Sequence, residues 1–324
     1  MFADAPHRIP MLRKLELYSD DNSKLNREHA QLLTELLTQA SNIAELHLPD
    51  FDEGISQFPE LLHAIEALPF VKIFDVETDK FACIPAAEKM SSSLTKVRFR
   101  ADDKYTGRML PTLGLLRPLS SLYTHASTLQ ELDFMTVQIT DATIVFPHVH
   151  TLRLHRSHNS DLKVLVATFP NLRNLDIFND PIINRCIMWT ITAEDYRQQF
   201  RKNRETPSWP RLESLSGSPL TLCILCVSCP IGRLTVYGPS RNEDNCSQTN
   251  NVIAGLVPVD TVVLRLDAIV DSATEESIHL AIPVSRCFER LVINISMFSS
   301  NNELAPEGTI VSRPTNSYCR VPCA

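Results

Sequence analysis

The sequence predicts an α/β solenoid, a horseshoe with parallel strands on its concave face, helices on its convex face and repeats of irregular length. Three observations predict it. A phrase reading apolar-x-x-apolar-x-apolar recurs along the chain at a mean spacing of about 28 residues. Many of the stretches between phrases have helical periodicity. The positions between the strand apolars carry polar or charged groups, whereas a parallel sheet covered on both faces would show continuous apolar runs.

In chain order the phrases begin at Leu12, Ile43, Val71, Leu94, Leu129, Val149, Leu172, Leu212, Ile231, Val259 and Phe288. The clearest are Leu12-Arg-Lys-Leu15-Glu-Leu17, Ile43-Ala-Glu-Leu46-His-Leu48 and Leu129-Gln-Glu-Leu132-Asp-Phe134; those from Leu212 onward are weaker. The closing apolar-x-apolar has period 2, so each phrase reads as a short strand with one buried face. Between the first two, Asn26 can cap a helix to about Ala40, with Leu32, Leu33, Leu36 and Leu37 on its buried stripe. Pro59 opens a second helix to Leu68 at a position where proline is tolerated. Ser160 to Thr168 reads as a third. Thr192-Ala-Glu-Asp195 resembles a capping box that opens a fourth through about Arg204, and Ser272 opens a late one. Strand and helix in alternation imply right-handed crossovers and a parallel sheet. The repeats are expected to form one domain over 1–298, of about ten or eleven units. Residues 299–324, rich in Pro, Asn and Ser, are expected to form a disordered tail. The segment from Phe178 to Pro210 interrupts the repeat, and Pro239 to Asn251 reads as a loop.

Composition narrows the function. Of 324 residues, 44% are hydrophobic and 21% charged, with a net charge of −7. An acidic chain without clustered Lys and Arg is not expected to bind nucleic acid. No run of about 18 apolar residues occurs, so no membrane span is expected. The start, Met1-Phe2-Ala3-Asp4, lacks a basic region followed by an apolar one, so the expected location is cytoplasmic or nuclear. Nine cysteines are too dilute for a disulfide scaffold and read as free thiols. The eight glycines form neither G-x-G-x-x-G nor G-x-x-x-x-G-K-[ST], which argues against the common nucleotide-using enzymes.

Two clusters look chemical. Cys223, Cys226 and Cys229 have metal or redox spacing, but no fourth ligand lies nearby, and the apolar context Leu220-Thr-Leu-Cys-Ile-Leu-Cys-Val227 reads as core. They are weak metal candidates. His148, His150, His155 and His158 lack H-E-x-x-H spacing and read as surface histidines. There is no G-x-S-x-G elbow. Neither catalysis nor a cofactor is expected.

The strand positions flanking the buried apolars are the expected binding face. They include Tyr18, His47, Asp75, Arg98, Arg100, Asp133, Met135, Arg153, His155, Asp176, Phe178 and Tyr237. Strand by strand these read as patches, acidic in the third repeat, basic in the fourth, acidic in the fifth and basic in the sixth. Arg and aromatic residues are frequent hot spots at protein interfaces, so a protein partner is expected there. Replacing Arg98, Arg153 and Phe178 together is expected to abolish capture without lowering the melting temperature.

Three strands sit in the phrases Phe146-Pro-His-Val-His-Thr-Leu-Arg-Leu154, Phe169-Pro-Asn-Leu-Arg-Asn-Leu-Asp-Ile177 and Trp209-Pro-Arg-Leu-Glu-Ser-Leu215. These resemble the leucine-rich-repeat domains of F-box proteins, especially the degenerate fungal kind, over roughly Arg8 to Ser296. The resemblance implies a non-catalytic module that recognises substrates for an SCF-type, cullin–RING ubiquitin ligase. The F-box itself is absent, so contact with ligase components is expected only if one is supplied upstream. A structural scaffold without a ligase link is the alternative, and an enzyme with a metal site the third. Where such repeats place an Asn or Cys ladder, this chain has Asp20, Phe51, Val137, Ser157 and Asp180.

Overall fold

The structure, a computed structural model, describes residues 6–17, 25–49, 57–77, 84–100, 118–135, 137, 139, 142–155, 161–178, 193–237, 259–270 and 290–299. The chain divides into two compact units, Met1–Asn159 with Val164–Leu172, and Ser160–Lys163 with Arg173–Ala324.

The first unit opens with a 3-10 turn, Pro6–Met11, and strand β1 (Lys14–Glu16). Helix α1 (Arg27–Gln39) follows, then β2 (Glu45–Pro49), α2 (Pro59–Glu66), β3 (Ile73–Glu77), α3 (Ile84–Lys89) and β4 (Lys96–Arg100). A four-residue helix, α4 (Pro118–Ser121), and a 3-10 turn at Tyr123–His125 precede β5 (Glu131–Met135) and β6 (Thr151–His155). Each of these strands pairs in parallel with the next in sequence, from β1 to β6. The expected strands of the first six phrases are all present.

Local chemistry explains the helices. Asn26 Oδ1 accepts from the His29 N–H at 2.8 Å, satisfying one of the free donors at the start of α1. Pro59 opens α2, where its missing N–H costs nothing. On α1 the buried residues are Ala30 and Leu37, while Leu32 is 57% exposed, so the expected leucine stripe is turned away from Leu32. Helix α3, with Pro85 in its first turn, is too short to announce itself by periodicity; Ile84, Ala86 and Ala87 bury it.

The core of this unit is built from strand alternation. Leu46, Leu48, Phe74, Val76, Val97, Phe99, Leu132, Phe134, Leu152 and Leu154 are all fully buried. Phe99 lies edge-on to Phe74 (centroids 6.2 Å apart) and stacks on Phe134 at 6.0 Å. The aromatic-Pro phrases have a matching role: Phe146 and Phe169 are fully buried and stack at 5.8 Å. The backbone repeats as regularly. The carbonyl just before each strand accepts two successive N–H groups of the next repeat: Arg13 O from Ala44 and Glu45, Ala44 O from Lys72 and Ile73, Lys72 O from Thr95 and Lys96. Thr95 O and Gln130 O continue the series. Asn42 Nδ2 donates to Pro10 O and Asn171 Nδ2 to Pro147 O, each reaching back one repeat from the position before its phrase.

Helix α5 (Leu162–Thr168) spans the division in sequence. The second unit carries β7 (Asn174–Phe178), α6 (Ala193–Arg204), β8 (Leu212–Gly217), α7 (Pro219–Leu225), β9 (Ile231–Tyr237), β10 (Val259–Val270) and β11 (Arg290–Ser299). Its strands also pair in parallel and in chain order, and the doubled-carbonyl pattern recurs at Arg173 O. Strands β10 and β11 run well past their phrases. Asn203 is fully buried: its Oδ1 accepts from the Leu162 N–H at 3.1 Å and from Gln199 Nε2 at 3.0 Å, and its Nδ2 donates to Ile224 O at 2.8 Å. One amide thus joins the start of α5, the body of α6 and the end of α7.

The late helix expected at Ser272, the loop at Pro239 to Asn251 and the tail beyond Ser299 lie outside the described residues, as do Asp20, Phe51, Ser157 and Asp180. Val137, at the ladder position, is buried and apolar where a ladder would place a hydrogen-bonding side chain. Among the described residues no helix is long and apolar enough to cross a membrane.

Candidate partner-binding face

The alternate positions of β1 to β6 form the expected face. Parallel register sets its chemistry. Glu16 lies beside His47, His47 beside Asp75, Asp75 beside Arg98, Arg98 beside Asp133, and Asp133 beside Arg153. Neighbouring strands are about 4.8 Å apart, so charges on successive strands are contact neighbours. Apart from the titratable His47, signs alternate along the row. What strand-by-strand reading presents as separate acidic and basic patches is one row of mutually neutralising groups.

Asp75 is its centre. Only 4% exposed, it accepts from Arg100 NH2 at 2.8 and 2.9 Å, from Arg98 NH1 at 3.2 Å and from His47 Nδ1 at 3.2 Å. Burial by itself would raise its carboxyl above the ordinary range. Arg100 and Arg98 outweigh that and hold it below. Arg100 shows the reciprocal effect: burial would lower its guanidinium, and Asp75 raises it instead. Asp133 lies 3.8 Å from Arg98 Nε and 3.5 Å from His155 Nε2, at ion-pair rather than hydrogen-bond distance. Two residues earlier on the strands, Glu131 is paired with Lys96 and lies 3.9 Å from Arg153. Its carboxyl is lowered too, with Lys96 overcoming the effect of burial.

Arg98 therefore neutralises a buried carboxylate as well as facing solvent. Its replacement is now expected to cost stability, which alters the sequence-based expectation for the triple variant. Of the remaining candidates, Met135 and His155 sit opposite one another on β5 and β6. In the second unit, Tyr237 Oη donates to both Asp176 oxygens at 3.1 and 3.2 Å, and Ser214 Oγ donates to Asn174 Oδ1 at 2.7 Å. Tyr18 and the side chains of Phe178 and Cys223 lie outside the described residues.

The other cysteines take individual roles. Cys226 ends α7 in the left-handed region, with φ 49°. Cys229 is a buried thiol whose pKa burial pushes up, the opposite of an activated thiolate. Among the described residues no three His, Cys, Asp or Glu side chains form a metal-ligating group. Strand β6 begins at Thr151, so His148 and His150 precede the strand rather than sharing its face. They line a groove of about 440 Å3 with Lys72, Ser93, Thr95, Ser127, Thr128 and Gln130. Asn42, Asn171 and Asn203 were not legible as structural residues; the only signal for the first two is their place directly before a phrase.

No protein-family model matches this chain, and no curated protein matches it. The class rests on the architecture: α/β, with parallel strands paired in chain order and helices between many of them.

Proposed function

We propose that the protein is a leucine-rich-repeat-type interaction module whose strand face captures a protein partner without catalysis, and that the partner is a substrate for an SCF-type ubiquitin ligase. One observation carries the interaction reading. Parallel sheets are ordinarily covered by helices on both faces. Here the alternate positions of β3 to β6 are polar except for Ile73 and Met135, and residues such as Lys96, Arg98, Arg100, Arg153 and His155 remain partly exposed. A partner strand or loop can lie across such a face and exchange hydrogen bonds with several repeats at once. The ligase link comes only from the aromatic-Pro phrases.

Site-specific photo-crosslinking tests the face. A crosslinker at Thr151, on the strand face, is expected to trap a discrete partner, and one at exposed Gln31 on α1 is not. Identical adducts from both positions would remove the strand-face reading. The ligase link has its own test. With an F-box supplied in frame upstream, the protein is expected to co-purify with the ligase adaptor and to promote ubiquitination of the trapped partner. Adaptor binding without ubiquitination would leave a scaffold.

A further inference from the structure

We propose that the groove along the strand-entry rim of repeats three to six binds an oxyanion, in the form of a phosphate monoester carried on a peptide. Its walls are repeat-equivalent. Lys72, Thr95, Gln130 and His150 each occupy the position before a strand, where the carbonyls of the first three accept the doubled N–H pair. Successive side chains there repeat at about the strand spacing, which makes the groove a linear track.

The chemistry of the lining is one-sided. Among the described residues Lys72, His148 and His150 are its titratable groups and no carboxylate lines it, in a chain whose net charge is −7. The ammonium of Lys72 donates to Ser93 O at 3.3 Å, which leaves two protons for a ligand and holds the chain over the rim. His150 Nδ1 contacts Thr151 Oγ1 at 3.4 Å, so that contact does not engage Nε2. Two wall hydroxyls are already committed: Thr95 Oγ1 donates to Lys72 O at 3.2 Å and Thr128 Oγ1 to Leu94 O at 2.8 Å. They fix the walls and do not solvate an anion. The donors left for an oxyanion are thus Lys72, the two imidazoles, Ser93, Ser127 and the Gln130 amide. The nearby carboxylate of Glu131, on β5 beside the rim, is engaged by Lys96 and is also in the field of Arg153 and His150.

Volume sets the size of the occupant. About 440 Å3, open to solvent and spread over four repeats, exceeds what one phosphate group fills and suits a phosphate with flanking peptide. Phosphate in such a setting gains charge-assisted hydrogen bonds from an ammonium and imidazoles. The choice of a peptide carrier rests on the protein-binding reading above; the anion site itself does not.

The test is a titration of the full chain, followed through the imidazole resonances of His148 and His150. The probes are inorganic phosphate, a short phosphoserine peptide and the same peptide unphosphorylated, all at constant ionic strength set by chloride. Saturable shifts at both histidines are expected with phosphate, with the phosphopeptide at least tenfold tighter and the unphosphorylated peptide inert. Lys72→Gln is expected to weaken binding roughly tenfold. Lys72 is exposed, so this variant is expected to fold, and circular dichroism checks that it does. His150→Gln provides a second, independent loss. Absence of saturation with either phosphorylated probe, or affinities unchanged by both variants, would overturn the site. Equal affinity for phosphate and phosphopeptide would overturn only the peptide carrier.

Discussion

Replacing Asp75 with Asn asks whether the charge row is held by its buried carboxylate. Hydrogen bonds to charged groups contribute about 1.5–3 kcal/mol each. Breaking a buried ion pair costs about 3–5 kcal/mol, because a charge is left without a partner. Asp75 is buried, but Arg98 is 30% and Arg100 42% exposed, so water can reach both guanidiniums once the carboxylate is gone. Their share of the loss falls toward the 0–1 kcal/mol of surface pairs. Asparagine also preserves the shape and one acceptor. The expected loss is about 2 kcal/mol at pH 7, read from urea unfolding. Because the folded carboxyl titrates below its unfolded value, its contribution is fully present above pH of about 4 and is lost as pH falls through the lower folded value. Wild type and Asp75→Asn should therefore converge as the pH is taken below about 4. A stability difference under about 0.5 kcal/mol at pH 7 would refute the reasoning. So would a larger one that stays constant down to pH 3, since it could not come from the charge.

Three further perturbations have expected outcomes. Asn203→Ala strands the Leu162 N–H and the Ile224 carbonyl, so unfolding free energy should drop by about 3 kcal/mol. Cys226→Gly removes a side chain from the left-handed conformation, and the urea midpoint should rise by the equivalent of about 1 kcal/mol. Gly232→Ala should cost about 1–3 kcal/mol in thermal unfolding, because the new Cβ would sit 2.9 Å from the Glu213 carbonyl oxygen. An unchanged midpoint in any of these would contradict the contact it removes or adds.

The strands were legible because their signal is local. Apolar residues two apart need one buried side, and each of the eleven phrases overlaps a strand. Helix α1 was legible through Asn26, but its rotation was not: the four leucines span about 140° of one side, and the buried face is centred near Ala30 and Leu37, which leaves Leu32 outside it. Helix α3 was missed because tertiary burial, not periodicity, supports it. On the candidate face the alternation along each strand was legible and the relations between strands were not. A sequence orders charges along strands, whereas energy depends on charges across strands, and the register that makes Asp75 a neighbour of Arg98 and His47 is set by pairing. The inter-repeat bonds of Asn42 and Asn171 were hidden for the same reason: each partner lies a full repeat away. Eight glycines suffice because the described chain uses none at positive φ and places Cys226 there instead.

A face that neutralises itself constrains how it can recognise anything. In the first unit Lys14, Lys96, Arg98, Arg100 and Arg153 nearly balance Glu16, Glu45, Asp75, Glu77, Glu131 and Asp133. Such a surface projects little field beyond a Debye length, so it cannot steer a partner from afar. Discrimination must then come at contact. A wrong partner would have to separate Asp75 from Arg98 and Arg100, or Glu131 from Lys96, and leave one of them desolvated and alone. A fitting partner would lay neutral donors and acceptors on the outer edges of these pairs without breaking them. Association with the strand face should thus respond weakly to added salt, whereas oxyanion binding at Lys72, His148 and His150 should weaken as salt is raised. The two surfaces are separable by that single variable. A partner engaging both would show salt sensitivity that Lys72→Gln abolishes while the strand-face affinity remains.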